Sequence, residues 1–107
     1  MALTRDYKET VRERVQSDPD FAVSLLDEAI SLFVNGEPET ARLILRDLVN
    51  ATVGFETLAQ ATSRQSKSLH RMLSAKGNPT MGNLTTIFNV LRKNLNVEIK
   101  VQAVHTR

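Results

Sequence analysis

Three prolines cut this chain into short pieces. Pro19 follows Ser17-Asp18, Pro38 follows Glu37, and Pro79 follows Gly77-Asn78. Proline lacks an amide proton and clashes with the preceding helical turn, so no straight helix runs through it. At the first position of a helix neither defect matters. Asp is a good helix cap, so Asp18-Pro19 opens a helix. Glu37-Pro38-Glu39 opens another, with its acidic groups near the positive end of the helix dipole. Lys76-Gly77-Asn78-Pro79-Thr80 reads instead as a loop, because a residue before proline is pushed out of the helical region.

Between these marks the apolar residues recur at helical spacing. A first helix over residues 5–16 carries Tyr7, Val11 and Val15 on one stripe. The second, from Pro19, carries Phe21, Leu25, Leu26, Ala29, Ile30, Leu32 and Phe33, a surface wide enough to predict the most buried helix of the fold. Asn35-Gly36 ends it, since glycine accepts the left-handed conformation of a C-terminal cap. The third turns Ala41, Ile44, Leu45 and Leu48 inward. After a break at residues 50–54, two short helices over 55–61 and 66–74 flank a polar turn. The last helix holds Leu84, Ile87, Phe88, Leu91 and Leu95. The expected class is all-α.

The period then changes. Val97, Ile99 and Val101 alternate with Glu98, Lys100 and Gln102, which is strand patterning. A lone strand is not stable in water, so a second copy of this chain or another protein should supply its partner.

A length of 107 residues suits one domain with a single core. Within it residues 1–52 form an acidic helical part, 53–95 a basic part and 96–103 the strand. The absence of cysteine excludes disulfides and thiolate metal sites and fits a reducing compartment. No run approaches the roughly 18 apolar residues of a membrane span. The first residues, Met-Ala-Leu-Thr-Arg-Asp-Tyr, lack a secretory core, and a cytoplasmic location is expected.

The net charge of +2 conceals a division. Residues 1–50 hold 6 Lys/Arg against 10 Asp/Glu, and residues 51–107 hold 8 against 2. No acidic residue lies between positions 57 and 97. Clustered cations gain by releasing counterions condensed on phosphates, so the second half favours a polyanion. The same run also reads as ordinary solvated surface.

Residues 55–73 add geometry. A helix-turn-helix needs two short helices crossing through a tight turn. Leu58 faces the core, Ala59 sits where a larger side chain would push the helices apart, and Leu69, Met72 and Leu73 bury the second helix. Ser66, Lys67, Ser68, His70 and Arg71 are left outward: hydroxyls and cations without a carboxylate. Those are the donors wanted in a major groove, where Lys and Arg donate to guanine.

These residues carry a resemblance. Leu58-Ala59, Ser68-Leu69-His70-Arg71-Met72-Leu73-Ser74, Gly77-Asn78-Pro79-Thr80, then Leu84, Ile87, Leu91 and the strand at 97–101 resemble the lambda-repressor-like helix-turn-helix proteins. Within them, the chain resembles the antidote proteins of toxin–antitoxin addiction modules. Asp-Tyr-Lys-Glu at 6–9 and Gly-Glu-Pro-Glu at 36–39 resemble that family's N-terminal helices, so the likeness covers most of the chain. It departs at the turn. Ser63 stands where the family has Gly, Arg64 where it has an apolar residue, and Gln65 where it has Ser or Thr. A turn either looser than the family's or shifted by a residue, with Ser63 or Ser66 as the cap, is therefore expected.

The resemblance implies that Ser66, Lys67 and Arg71 reach base edges, with Gln65, Ser68 and His70 close to bases or phosphates. It places Lys76, Asn78 and Thr80 on the phosphate backbone. It further implies an antitoxin that binds a double-stranded DNA operator, represses its own operon, neutralises a RelE-like ribonuclease toxin and forms a homodimer. A free-standing repressor and a pure protein-interaction domain are the alternatives. Catalysis is not expected: His70 and His105 have no carboxylate pair, thiol or phosphate-cradling loop beside them. Asp27-Glu28 reads as a solvated edge. No cofactor or metal is implied.

Overall fold

A computed structural model describes the backbone of residues 3–106 and the side chains of residues 9–106. Its secondary structure, among the described residues, is six helices and no strand. They are α1 (Leu3–Ser17), α2 (Pro19–Val34), α3 (Pro38–Ala51), α4 (Gly54–Thr62), α5 (Ser66–Met72) and α6 (Met81–Leu95). The all-α class is as the periodicity predicts.

The helix boundaries follow from the caps. Asp18 is extended, and its carboxylate accepts a hydrogen bond from the Asp20 amide at 3.2 Å, with Pro19 at the first helical position. At the far end of α2, Gly36 has φ +87°. This left-handed turn lets the Glu37 amide donate to the Leu32 carbonyl at 2.8 Å. Pro38 opens α3, although Glu37 makes no side-chain cap bond.

The most buried helix is α3 rather than α2. Ala41, Arg42, Leu45, Leu48 and Val49 are buried on α3, against Ala22, Leu26 and Ala29 on α2. α3 packs against α1, α2 and α4. The apolar surface of α2 is wider than its neighbours cover. Leu25, Ile30, Leu32 and Phe33 stay half-buried and Val34 is 62% exposed.

One core joins the acidic and basic parts. Leu26, Leu45, Leu48, Leu58, Leu69, Leu73, Ile87 and Leu91 are all but fully buried in it. Each such side chain stabilises the fold by about 1.5–3 kcal/mol relative to an exposed one. Phe33 meets Phe88 edge to face, with ring centroids 5.9 Å apart, and so ties α2 to α6. On α1, Val11 is buried and Val15 half-buried, with the Arg14 guanidinium 4.8 Å over the Phe21 ring. The expectation for Tyr7 lies outside the described side chains.

The strand expected at 96–103 has no ladder here. Asn96 adopts a left-handed conformation (φ 57°) that ends α6. Residues 97–106 then run on without helix or strand. Val97 and Ile99 are half-buried against the core while Glu98 and Lys100 are exposed, so the predicted alternation exists as alternating burial. The segment lies along α2 beside Val23, Asp27, Ile30 and Val34. Strand pairing needs a second strand, and none is present among the described residues.

Candidate nucleic-acid interface

The helix pair α4–α5 is built around small and buried residues. Phe55, Leu58 and Ala59 are buried on α4 and Leu69 on α5. Leu73, just past α5, is fully buried, and Met72 is half-buried. Ala59 lies 9% exposed, and its small side chain suits a close approach of the two helices.

Three residues make the turn. Ser63 is left-handed at φ 56°, ψ 38°. The Arg64 amide donates to the Ala59 carbonyl at 3.1 Å and the Ser63 amide to Gln60 at 3.4 Å. This bond pair closes a helix around a left-handed residue, a place where glycine is the usual occupant. Gln65 is extended at the cap position of α5 and makes no side-chain cap bond. The expected cap at Ser63 or Ser66 is therefore not what forms. Ser63 absorbs the left-handed backbone, and Gln65 takes the cap position with its carbonyl accepting from the Leu69 amide at 3.2 Å.

Burial of Leu69 and Leu73 decides what α5 shows to solvent. Lys67, His70, Arg71 and the preceding Gln65 are exposed, while Ser66 and Ser68 are half-buried. Lys67 and Arg71 lie four residues apart, one above the other on the same helical face. Since no acidic residue occurs between positions 57 and 97, the sequence around them supplies no competing carboxylate. His70 is stacked on Phe55, with centroids 3.8 Å apart and planes 19° from parallel. One face of its imidazole is thus committed to holding α5 on α4.

The exit from α5 is more firmly held than its entry. Arg42, a residue only 6% exposed, reaches from α3, and its guanidinium donates from Nε to the Ser74 carbonyl (3.0 Å) and from Nη2 to the Ala75 carbonyl (2.8 Å). A cation bonding carbonyls at a helix C-terminus also complements the helix dipole. The Gly77 amide donates to the same Ser74 carbonyl at 3.0 Å. A Cβ on Gly77 would run into the Met72 and Arg71 carbonyl oxygens, so this position requires glycine for close approach.

Beyond Gly77, Lys76, Asn78 and Thr80 are all exposed. Thr80 caps α6, its Oγ1 accepting from the Asn83 amide at 3.1 Å. The hydroxyl proton remains able to donate, for example to a phosphate oxygen. Backbone continuity from Ser74 to Thr80 relates these residues to α5.

Comparison with protein-family models, with curated proteins and with solved structures finds no match to the chain. Among the described residues, no group of three His, Cys, Asp or Glu side chains is placed to hold a metal ion. Nor, among the described residues, is any helix long and apolar enough to cross a membrane.

Arg42 and the close approach at Gly77 lie outside the sequence-predicted site residues. Arg42 did leave a signal: it stands three and seven residues before Leu45 and Val49, on the stripe that α3 buries. A charged residue in that register needs buried acceptors. Exposed Arg64, in the turn itself, adds a cation beside α5.

Proposed function

We propose that α4 and α5 form a lambda-repressor-like helix-turn-helix that places α5 in the major groove of duplex DNA. The chain would act as the cytoplasmic antitoxin of a toxin–antitoxin pair, without catalytic activity of its own. The observation that carries the DNA reading is the outward face of α5. It offers Lys67 and Arg71 on one side, with Ser66 and Ser68 beside them and no carboxylate. Guanine edges accept from Lys and Arg, and serine donates or accepts. Lys76, Asn78 and Thr80 supply phosphate contacts that fix register without reading sequence.

The antitoxin role is supported by the sequence resemblance and by the acidic N-terminal part, which suits a basic ribonuclease-like partner. In this reading the protein binds its own operator as a homodimer. Its two recognition helices sit about 34 Å apart, over half-sites one helical turn from each other.

Two substitutions separate base reading from phosphate binding. Arg71→Ala weakens binding to the operator by about 1–3 kcal/mol and relaxes preference at one base pair, with little effect on random DNA. Lys76→Ala weakens both DNAs alike and lowers the salt slope by about one unit. Titrations of both variants on upstream and random duplexes, at several salt concentrations, check this. Equal loss on both DNAs for Arg71→Ala would move Arg71 to the backbone, and no binding to upstream DNA at low salt would remove the DNA reading. Co-purification with a basic protein encoded next to it tests the toxin partner. If none is captured, a free-standing repressor is the reading that survives.

A further inference from the structure

Two surfaces short of partners lie side by side on the face where the tail crosses α2. The apolar face of α2 ends in Val34, 62% exposed, and the tail beside it carries Val101 at 78% and Val104 at 73%. Val97 donates its amide to the Arg92 carbonyl at 3.0 Å, and among the described residues no backbone hydrogen bond involves positions 98–106. The segment alternates in burial, as an extended chain does, and its backbone groups are unpaired.

We propose that residues 97–101 pair with the same segment of a second copy of this chain, as an antiparallel ribbon whose two-fold axis passes through Ile99. The occupant and the register both follow from the residues. Opposite residues of an antiparallel pair point to the same face, so apolar must meet apolar, and the axis passes through a residue rather than between two. An axis at 98 sets Glu98 against its own copy, and an axis at 100 does the same for Lys100. Like charges directly opposite destabilise a ladder. An axis at 101 sets Glu98 against Val104 and Val97 against His105.

The axis at 99 alone matches every pair. Glu98 meets Lys100 of the second copy, twice by symmetry. Val97 meets Val101 of the second copy, also twice, and Ile99 meets itself. Exposed Val101 is then covered by the copy's Val97, and the apolar row continues from the uncovered surface of α2. The ladder stops at Asn96, whose left-handed turn leads back into α6. This inference goes beyond the DNA reading and stands without it.

Charge reversal tests the pairing, because Glu98 and Lys100 are exposed and their replacement leaves the helices intact. In sedimentation equilibrium on the full chain, E98K and K100E should each weaken the dimer about tenfold, and the double variant E98K/K100E should restore it. A monomeric wild type, singles that dimerise as wild type does, or a double variant no better than the singles would each overturn the proposal. The register has its own test, since the chain has no cysteine. Opposite Cα atoms lie about 4.5–5.5 Å apart, within disulfide reach. Ile99→Cys should therefore form a covalent dimer on mild oxidation, and Val101→Cys should not. The reverse pattern would overturn the register.

Discussion

The two ends of α5 are held differently. At the entry, Ser63 is forced into a left-handed conformation and Gln65 caps nothing. At the exit, a buried guanidinium from α3 grips two consecutive carbonyls, and Gly77 packs its bare Cα against the last turn. The position of the outward Lys67–Arg71 face is therefore set from behind. Arg42 belongs to the acidic part of the chain, so the two parts share the task of presenting α5 as well as sharing a core.

Breaking the exit should have the largest effect. Arg42→Met keeps the length and apolar stem of the side chain but removes both donors, leaving the Ala75 carbonyl without this partner. A loss of about 3 kcal/mol in urea unfolding is expected, given two charge-assisted bonds at a site 6% exposed. At low denaturant the folded variant should also bind upstream DNA less tightly than wild type. Arg42→Lys, with a single-point donor in place of a fork, should recover part of the stability. A loss below about 1 kcal/mol would mean that packing at Leu69 and Leu73, not the exit bonds, fixes α5.

Gly77→Ala attacks the same end by steric means and should cost somewhat less, about 2 kcal/mol. The added Cβ meets backbone oxygens of Arg71 and Met72 rather than a side chain able to swing away. Relief requires moving the loop that carries Lys76, Asn78 and Thr80. The loss should thus appear in thermal unfolding and in a lower affinity for random DNA. Wild-type stability would show that the loop has room to shift.

How much of this was legible beforehand differs by region. The all-α class, Asp18-Pro19, Gly36 and the short helix pair were readable, because local caps and periodicity decide them. The rank of α2 was misread because periodicity measures how much apolar surface a helix offers, not how much its neighbours cover. The Arg42 clamp spans 32 residues of sequence to Ser74, and no local pattern encodes such a contact. His70 on Phe55 was hidden likewise: which way an exposed imidazole turns depends on α4, not on α5. The alternation in the tail was visible, but a ladder is a property of two strands and one sequence holds only half of it.

Changes at the entry of α5 should matter least. The turns after α4 and α6 share one design: the Arg64 amide bonds five residues back to Ala59, and the Val97 amide five back to Arg92. They differ in the left-handed residue, Ser63 in one and Asn96 in the other. An L-residue in that region is penalised by roughly 1–2 kcal/mol, with asparagine the better-tolerated of the two. Glycine escapes the penalty but raises the entropy of the unfolded chain by roughly 0.5–1 kcal/mol. Ser63→Gly should therefore stabilise the protein by about 0.5–1 kcal/mol, while Asn96→Gly should be close to neutral. Urea unfolding of both variants measures the contrast. Because the exit determines where α5 sits, Ser63→Gly should leave operator affinity unchanged. A gain in stability accompanied by a change in affinity would show that the entry turn also positions the helix.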